Sequence, residues 1–379
     1  MGGTVMSELM GIINLSEADD LLKELAYNRP TAAIPFGGRY RVIDFQLSNL
    51  VNSGVEMVSI FTKGKFRSLQ DHIGPGKSWD LSRKRDGLFM LHPMINYNEP
   101  MIRYGDMELF KTNVGFIKRS RQKYVILSKS YMITNINYTT AFKFHKESDA
   151  DITIISKHIK NGSSNPKFLG LDLLNCDGQG NIKSIGRNFG KIDDFNLSLE
   201  MYIMKKDLLI DIIVDSYEKG DSNYLKEAIM KRISRLKVNM YEHSGETFCI
   251  NNTDNYFKAS MALLNKEVFD DLFKRNGKIH TKVKDEPSTI YKDTSSVRNS
   301  LLANGSIIEG TVENSIIFRG VHIQKGAIIR NSIIMQDSVI GGTANLNYVI
   351  ADKDVVVSAK KTLMGDPNAL FIIKKNQTI

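Results

Sequence analysis

The chain has only two cysteines, Cys176 and Cys249, among 379 residues. Two thiols supply neither a disulfide framework nor a zinc cluster. The seven histidines are scattered, with no pair at helical i, i+4 spacing. No apolar run reaches the roughly 18 residues that crossing a bilayer requires. The opening residues, MGGTVMSE, lack a basic stretch before an apolar core, so they do not read as a secretory signal. No basic run interleaved with aromatics supports nucleic-acid binding. The expectation is a protein of a reducing cytoplasm, with no membrane and no nucleic acid among its partners.

What is present is ordinary in amount. Hydrophobic residues make up 42% and charged residues 25%, which excludes disorder and collagen-like repeats. At roughly 150 residues per domain, the length suggests two or three domains. Lysine and arginine number 51 against 42 acids, a formal charge of +9. That excess suits an anionic polymer, a small anionic metabolite or a plain solvated surface.

Two halves of the chain have different periods. The first 160 or so residues alternate between strand-like and helix-like segments. Met10–Leu15 and Met57–Phe61 are short apolar runs. Between them, Val42, Phe45, Leu47, Leu50 and Val51 recur near helical spacing, and Gly54 can end that helix. The spacing predicts one helix over Asp106–Arg121, a strand at Tyr124–Leu127, a helix at Thr139–Glu147 and a strand at Asp151–Ile155. Such alternation argues for βαβ units, with ligands at the carboxyl ends of the strands. Further strands are expected at Phe168–Leu174, Ile182–Ile185 and Leu199–Met204, and one helix over Asp254–Phe273. From about residue 297, Val321, Ala327, Ile333 and Val339 follow at steps of six, with Ile323 and Ile329 two further on. Leu301 and Ile307 keep the step after a two-residue slip. A six-residue period is the mark of a hexapeptide β-helix. The expected division is a nucleotidyltransferase-like domain over 1–276, a linker over 277–296 and a β-helix over 297–379.

One stretch is specific enough to carry a resemblance. Arg29 to Val55 reads RPTAAIPFGGRYRVIDFQLSNLVNSGV, and Gly76 to Leu81 reads GKSWDL. With the C-terminal hexads, these resemble bacterial glucose-1-phosphate adenylyltransferase, also called ADP-glucose pyrophosphorylase. The resemblance spans nearly the whole chain. It implies an α/β fold: a Rossmann-like, GT-A type mixed sheet followed by a left-handed parallel β-helix, in a four-subunit assembly. Active members join ATP and glucose 1-phosphate into ADP-glucose and pyrophosphate with magnesium, for glycogen synthesis.

That chemistry brings phosphates together, so it needs a backbone cradle, cations and metal-binding carboxylates. Active members carry A-G-G-R-G-T-R-L after the first strand. The matching positions here run from Leu15 to Leu22, with Ser16, Glu17, Asp19 and Asp20 in place of glycines and arginines. A carboxylate about 4 Å from a phosphate oxygen costs on the order of 4 kcal/mol at an effective dielectric of 20. The lysine of the family's K-P-A motif aligns with Thr31. The aspartate of G-D-H aligns with Ser130, beside Lys129. The second metal aspartate aligns with Ile250, and the E-K-P motif has no counterpart near Arg187. Gly105 and Glu108 match the ends of a G-T-A-D loop, with Asp106 and Met107 as departures. No catalytic or metal-ligating residue remains at Thr31, Ser130 and Ile250.

The scaffold survives while the chemistry is erased, which resembles the noncatalytic D-type subunit that partners a catalytic C-type subunit. That implies a heterotetramer with a catalytic glucose-1-phosphate adenylyltransferase subunit, some self-association, and magnesium needed only in the partner. Glu17, Asp19 and Asp20 are expected to pair with Lys129 or other local cations and fill the vacant pocket. In the family, sugar-phosphate effectors bind between the two domains. Arg29 and Arg41 match basic positions lining that cleft, and Arg39 lies between them; guanidinium groups suit phosphate. Gly37 and Gly38 read as a turn. Three alternatives stay open: an active sugar-nucleotide pyrophosphorylase with a rewired site, an acyltransferase using His322, and a plain scaffold.

Overall fold

The structure, a computed structural model, describes residues 7–92, 105–164 and 166–379. The first six residues of the MGGTVMSE stretch lie outside that range. The α/β domain is built on a nine-stranded mixed sheet. Leu9–Leu15 sits at its centre, buried at every position. It runs parallel to Met57–Thr62 on one side and Tyr124–Lys129 on the other. Alternation sends Leu9 and Ile13 into one core layer and Met10 and Ile12 into the opposite one. Phe195–Lys205 then crosses antiparallel to Tyr124–Lys129 and Ile152–Ile159. The helix Val42–Asn52 covers one face. It ends where Gly54 takes φ +82°, a left-handed C-terminal cap.

Two expected helices are broken. Asp106–Arg121 folds as Met107–Thr112 and Val114–Arg119. The break is Asn113, whose Nδ2 donates to the Leu109 carbonyl at 2.8 Å. Asp254–Phe273 folds as Thr253–Ala262 and Lys266–Lys274. Asn265 caps the second, its Oδ1 accepting from the Glu267 N–H at 2.8 Å. The strand expected at Phe168–Leu174 runs over Asp172–Cys176, after a 3₁₀ turn at Pro166–Phe168.

The C-terminal domain is a left-handed β-helix of three parallel five-stranded faces. Its first strand, Ile290–Tyr291, pairs with Ile307–Ile308, so coiling begins inside the stretch read as linker. Val297 pairs with Val312, and Val312 with Ile329; the first step spans 15 residues and the second 17. The shortening lies in the link between Ile307–Ile308 and Thr311–Glu313, which is the slip seen in the hexads. A strict step of six therefore drifts. Val339 is only half-buried, and Ile340, paired with Ile323, takes the inward place. Asn314 and Asn331 hold left-handed corners. Asn299 donates to Asn314 Oδ1 at 2.8 Å and Asn331 to Asn347 Oδ1 at 2.9 Å, which suits a residue that tolerates positive φ.

One apolar cluster joins the domains: Phe36, Phe45 and Phe273 pack with Ile316, Phe318 and Met335 of the β-helix. The hairpin Pro35–Phe36/Tyr40–Arg41 reaches this seam. Gly37 and Gly38, at φ +58° and +82°, make its turn. Among the described residues, no helix is long and apolar enough to cross a membrane.

Candidate functional site

Two cavities of nearly equal size flank the segment that follows the first strand. The first, about 570 Å³, lies at the carboxyl ends of Leu9–Leu15 and Tyr124–Lys129, where open α/β sheets bind ligands. Ser16, Glu17, Lys129, Glu200 and Ile250 line it. Lys129 is the hub. Its Nζ donates to Asp106 Oδ2 at 3.0 Å and to Ser16 Oγ at 2.7 Å. Asp106 is fixed in turn, accepting from Asn14 Nδ2 at 3.0 Å and from the Leu225 N–H at 2.8 Å. Burial opposes a charge on Lys129, yet Asp106, Glu200 and Glu17 together hold its pKa above the ordinary value. Glu17 goes the same way for the opposite reason. Burial raises its pKa against the pull of Lys129 and of hydrogen bonds from Ser130. The Ser130 N–H donates to Glu17 Oε1 at 3.2 Å, and the Ser130 hydroxyl donates to the same oxygen.

Glu200 enters from a bulge between Ser198 and Met201, in the left-handed region at φ +52°. Such a conformation costs about 1–3 kcal/mol in a non-glycine residue, and it is held here by surrounding structure. Glu200 Oε1 accepts from the Tyr131 hydroxyl at 2.5 Å. Burial, then Glu200, pushes the pKa of Tyr131 well above its usual value.

These residues do not fit the magnesium of active members. Ser130 is committed to Glu17, and Ile250 brings no oxygen. The remaining carboxylates surround an ammonium. Among the described residues, no group of three His, Cys, Asp or Glu side chains is placed to hold a metal.

The second cavity, about 560 Å³, lies at the domain seam and is lined by Asp19, Asp20, Arg29, Lys65 and Lys353, among others. A smaller lobe, about 130 Å³, adjoins it through Lys353 and takes in Arg39, Arg41 and Arg319. Arg29 is buried. It forms an ion pair with buried Asp352 and donates from Nε to the Leu25 carbonyl at 2.8 Å. Arg41 donates to the Ser68 carbonyl at 2.6 Å and the Ser68 hydroxyl at 2.9 Å. Burial lowers the Arg41 pKa to about 10. Arg39 is exposed beside the Tyr40 ring. Lys353 has the largest consequence: burial, then Arg41 and Arg29, lowers its pKa to about 7.

The loop read as one vestigial nucleotide site is therefore divided. Ser16 and Glu17 face the first cavity, while Asp19 and Asp20 line the second. Asp19 does not reach Lys129; it pairs with Lys65 at 3.1 Å. The turn at Asp20–Ala26 carries the chain away from the sheet, which separates the two sets. Thr31 lines neither cavity and is buried. Asp106, not Glu108, supplies the carboxylate of the G-T-A-D position. Sequence reading missed Asp106, Glu200, Arg319 and Lys353. Glu200 depends on a bulge, and Arg319 and Lys353 lie some 300 residues from the arginines they join. Only Asp106, a charged departure inside a quoted motif, gave a readable signal.

Comparison with known proteins follows the same division. The nucleotidyl transferase family matches residues 21–174, and the GlmU-like C-terminal hexapeptide family matches residues 286–369. A glycogen biosynthesis protein GlgD of Bacillus subtilis is 36% identical over 97% of this chain and 96% of its own length. A second GlgD, of Geobacillus stearothermophilus, is 40% identical over 85% of this chain and 83% of its own. A glucose-1-phosphate adenylyltransferase of Acetivibrio thermocellus is 28% identical over 94% and 84%.

Proposed function

Because the chain belongs to the GlgD family of glycogen biosynthesis proteins, we propose that it is a regulatory subunit that makes no ADP-glucose alone. It is related to the glucose-1-phosphate adenylyltransferases. The observation that carries the reading is the Lys129 ammonium, 3.0 Å from Asp106 Oδ2, standing among carboxylates at the end of the central strands. An active site for two phosphorylated substrates needs that place for a divalent cation and leaves the negative charge to the substrate. Here the cation is covalent and already neutralised. A triphosphate entering beside Glu17 and Glu200 meets charge of its own sign.

In this reading the chain works through a catalytic glucose-1-phosphate adenylyltransferase partner in a heterotetramer in the cytoplasm, and magnesium acts only in that partner. The apolar cluster fastens the β-helix to the α/β domain beside the basic seam. The basic seam around Arg29, Arg41 and Lys353 supports a sugar-phosphate effector. An active enzyme with a rewired site would have to hold its phosphates through the remaining cations of the lining, Lys63, Arg187 and Lys226, and Lys226 is itself paired with Asp172 at 2.8 Å.

The test is pyrophosphate release from ATP and glucose 1-phosphate with magnesium. The chain, a catalytic homologue and their co-expressed mixture are compared. The mixture is expected to differ from the homologue in rate or in its response to phosphorylated sugars. A turnover near 1 s⁻¹ or above for the chain alone, within the ordinary enzyme range, overturns the proposal.

A further inference from the structure

Lys353 follows Asp352 on the β-helix, and the two meet the α/β domain together. The Asp352 carboxylate accepts from Arg29 and, at 2.8 Å, from the Lys353 backbone N–H. The nearest acid is therefore already committed. Among the described residues, the Lys353 Nζ makes no hydrogen bond or ion pair. The strongest electrostatic influences on it are Arg41, Arg29 and Lys375 on one side and Asp352 on the other. Asp19, Asp20 and Glu24 line the larger cavity and Asp71 and Asp337 the smaller lobe, outnumbered in each by lysines and arginines. His72, the other titratable group it acts on, is held to Asp44 at 2.6 Å. Lys353 is half-buried, and it is shared by the larger cavity and the smaller lobe, so a small solute reaches it from either side.

An ordinary lysine is almost wholly an ammonium at neutral pH, which makes it a poor nucleophile. At Lys353, burial and the neighbouring arginines favour the free amine. The same arginines attract anions. An anion-guided electrophile thus meets an amine with a large uncharged fraction at neutral pH, in a cleft lined by cations.

We propose that Lys353 is a site of covalent acylation by small anionic acyl donors, namely acyl phosphates. The neutral ε-amine attacks the acyl carbon. A C–N bond forms, the C–O bond to the phosphoryl group breaks, inorganic phosphate leaves, and the amine proton passes to water. Arg41, whose guanidinium hydrogen-bonds to Ser68 and lies under the influence of Asp44 and Asp71, offsets the phosphate charge. The product is a neutral amide that no longer takes up a proton, so both lobes lose the charge that Lys353 carries in its protonated fraction. Acylation therefore weakens anion binding at the seam. The proposal rests on the anion-cleft reading above.

The experiment uses the full chain and acetyl phosphate at neutral pH, with site-resolved mass spectrometry. Lys361, exposed on the same domain, is the internal reference. Lys353 is expected to acetylate roughly tenfold faster than Lys361 or more, because its neutral fraction is far larger. Excess inorganic phosphate is expected to slow Lys353 and leave Lys361 unchanged. Labelling of Lys353 no faster than Lys361, or equal protection of both, overturns the proposal. So does a preference for Lys353 seen with a neutral acetyl ester but not with acetyl phosphate. Failure of the parent reading looks different: phosphate titrated into the unlabelled chain then gives no heat of binding, whatever the labelling rates.

Discussion

Lys129 and Lys353 each line a cavity of about the same volume, 570 and 560 Å³, and their surroundings drive them in opposite directions. Both lose solvation. Lys129 regains it from Asp106, Glu200 and Glu17, so its charge is held firmly. Lys353 faces Arg41 and Arg29, and its charge is held loosely. The difference teaches that burial alone does not decide a lysine's state; the sign of its neighbours does. It also separates a cavity that supplies its own counter-ions from one that leaves cations for a ligand. In this chain acids and bases balance in the lining of the strand-end cavity, while bases exceed acids at the domain seam.

The sharpest way to break this contrast is to cut the buried pairs. Lys129→Met leaves Asp106, Glu17 and Glu200 without their cation. Arg29→Met strands Asp352. Each is expected to cost about 3–5 kcal/mol in denaturant unfolding, because an unpaired buried charge remains. A double variant, Lys129→Met with Asp106→Asn, should lose less than the sum of its singles.

Acid comes next in size. Burial lowers the pKa of both His145 and His243 to about 4. Between about pH 4 and their unfolded value near 6.5, the unfolded chain binds more protons than the folded one, so stability falls as pH drops through that window. The loss is up to roughly 3 kcal/mol per histidine. Unfolding midpoints that stay flat from pH 6.5 to 4 would contradict this.

Much of this architecture was legible in the sequence. Alternating apolar runs marked the central strands, because a strand buried on both faces cannot hide its composition. The hexads marked the β-helix, because every turn repeats one stacking problem. The failures were local and chemical. Asn113 and Asn265 broke helices whose apolar spacing ran straight through them, and their side chains satisfy the freed backbone groups. Apolar periodicity does not register such caps. The site was half legible. Glu17, Ser130 and Lys129 could be aligned and do meet. Asp19 strayed to Lys65 because the turn after it leaves the sheet. Lys353 came from a domain whose contacts no local pattern announces.

Smaller effects sharpen the comparison further. Lys65→Ala removes the exposed pair with Asp19 and should cost only about 0–1 kcal/mol. Lys353→Met should cost nothing and can raise stability at pH 7. Its pKa is lower in the folded chain than in the unfolded one, so between about pH 7 and 10.5 the unfolded state binds more protons. Replacing the amine removes that preference. A clear loss of stability on Lys353→Met would mean that it has a partner after all.

Calorimetric titration with magnesium-ATP is the most direct trial of a self-filled nucleotide cavity. It is best run on an Arg41→Gln/Lys353→Gln variant, in which the basic seam no longer competes for phosphate. The expected result is no saturable heat up to millimolar nucleotide, because Lys129 and its carboxylates already occupy each other. A micromolar dissociation constant in that variant, lost when Lys129 is also changed to Met, would show that the cavity at the strand ends still binds nucleotide.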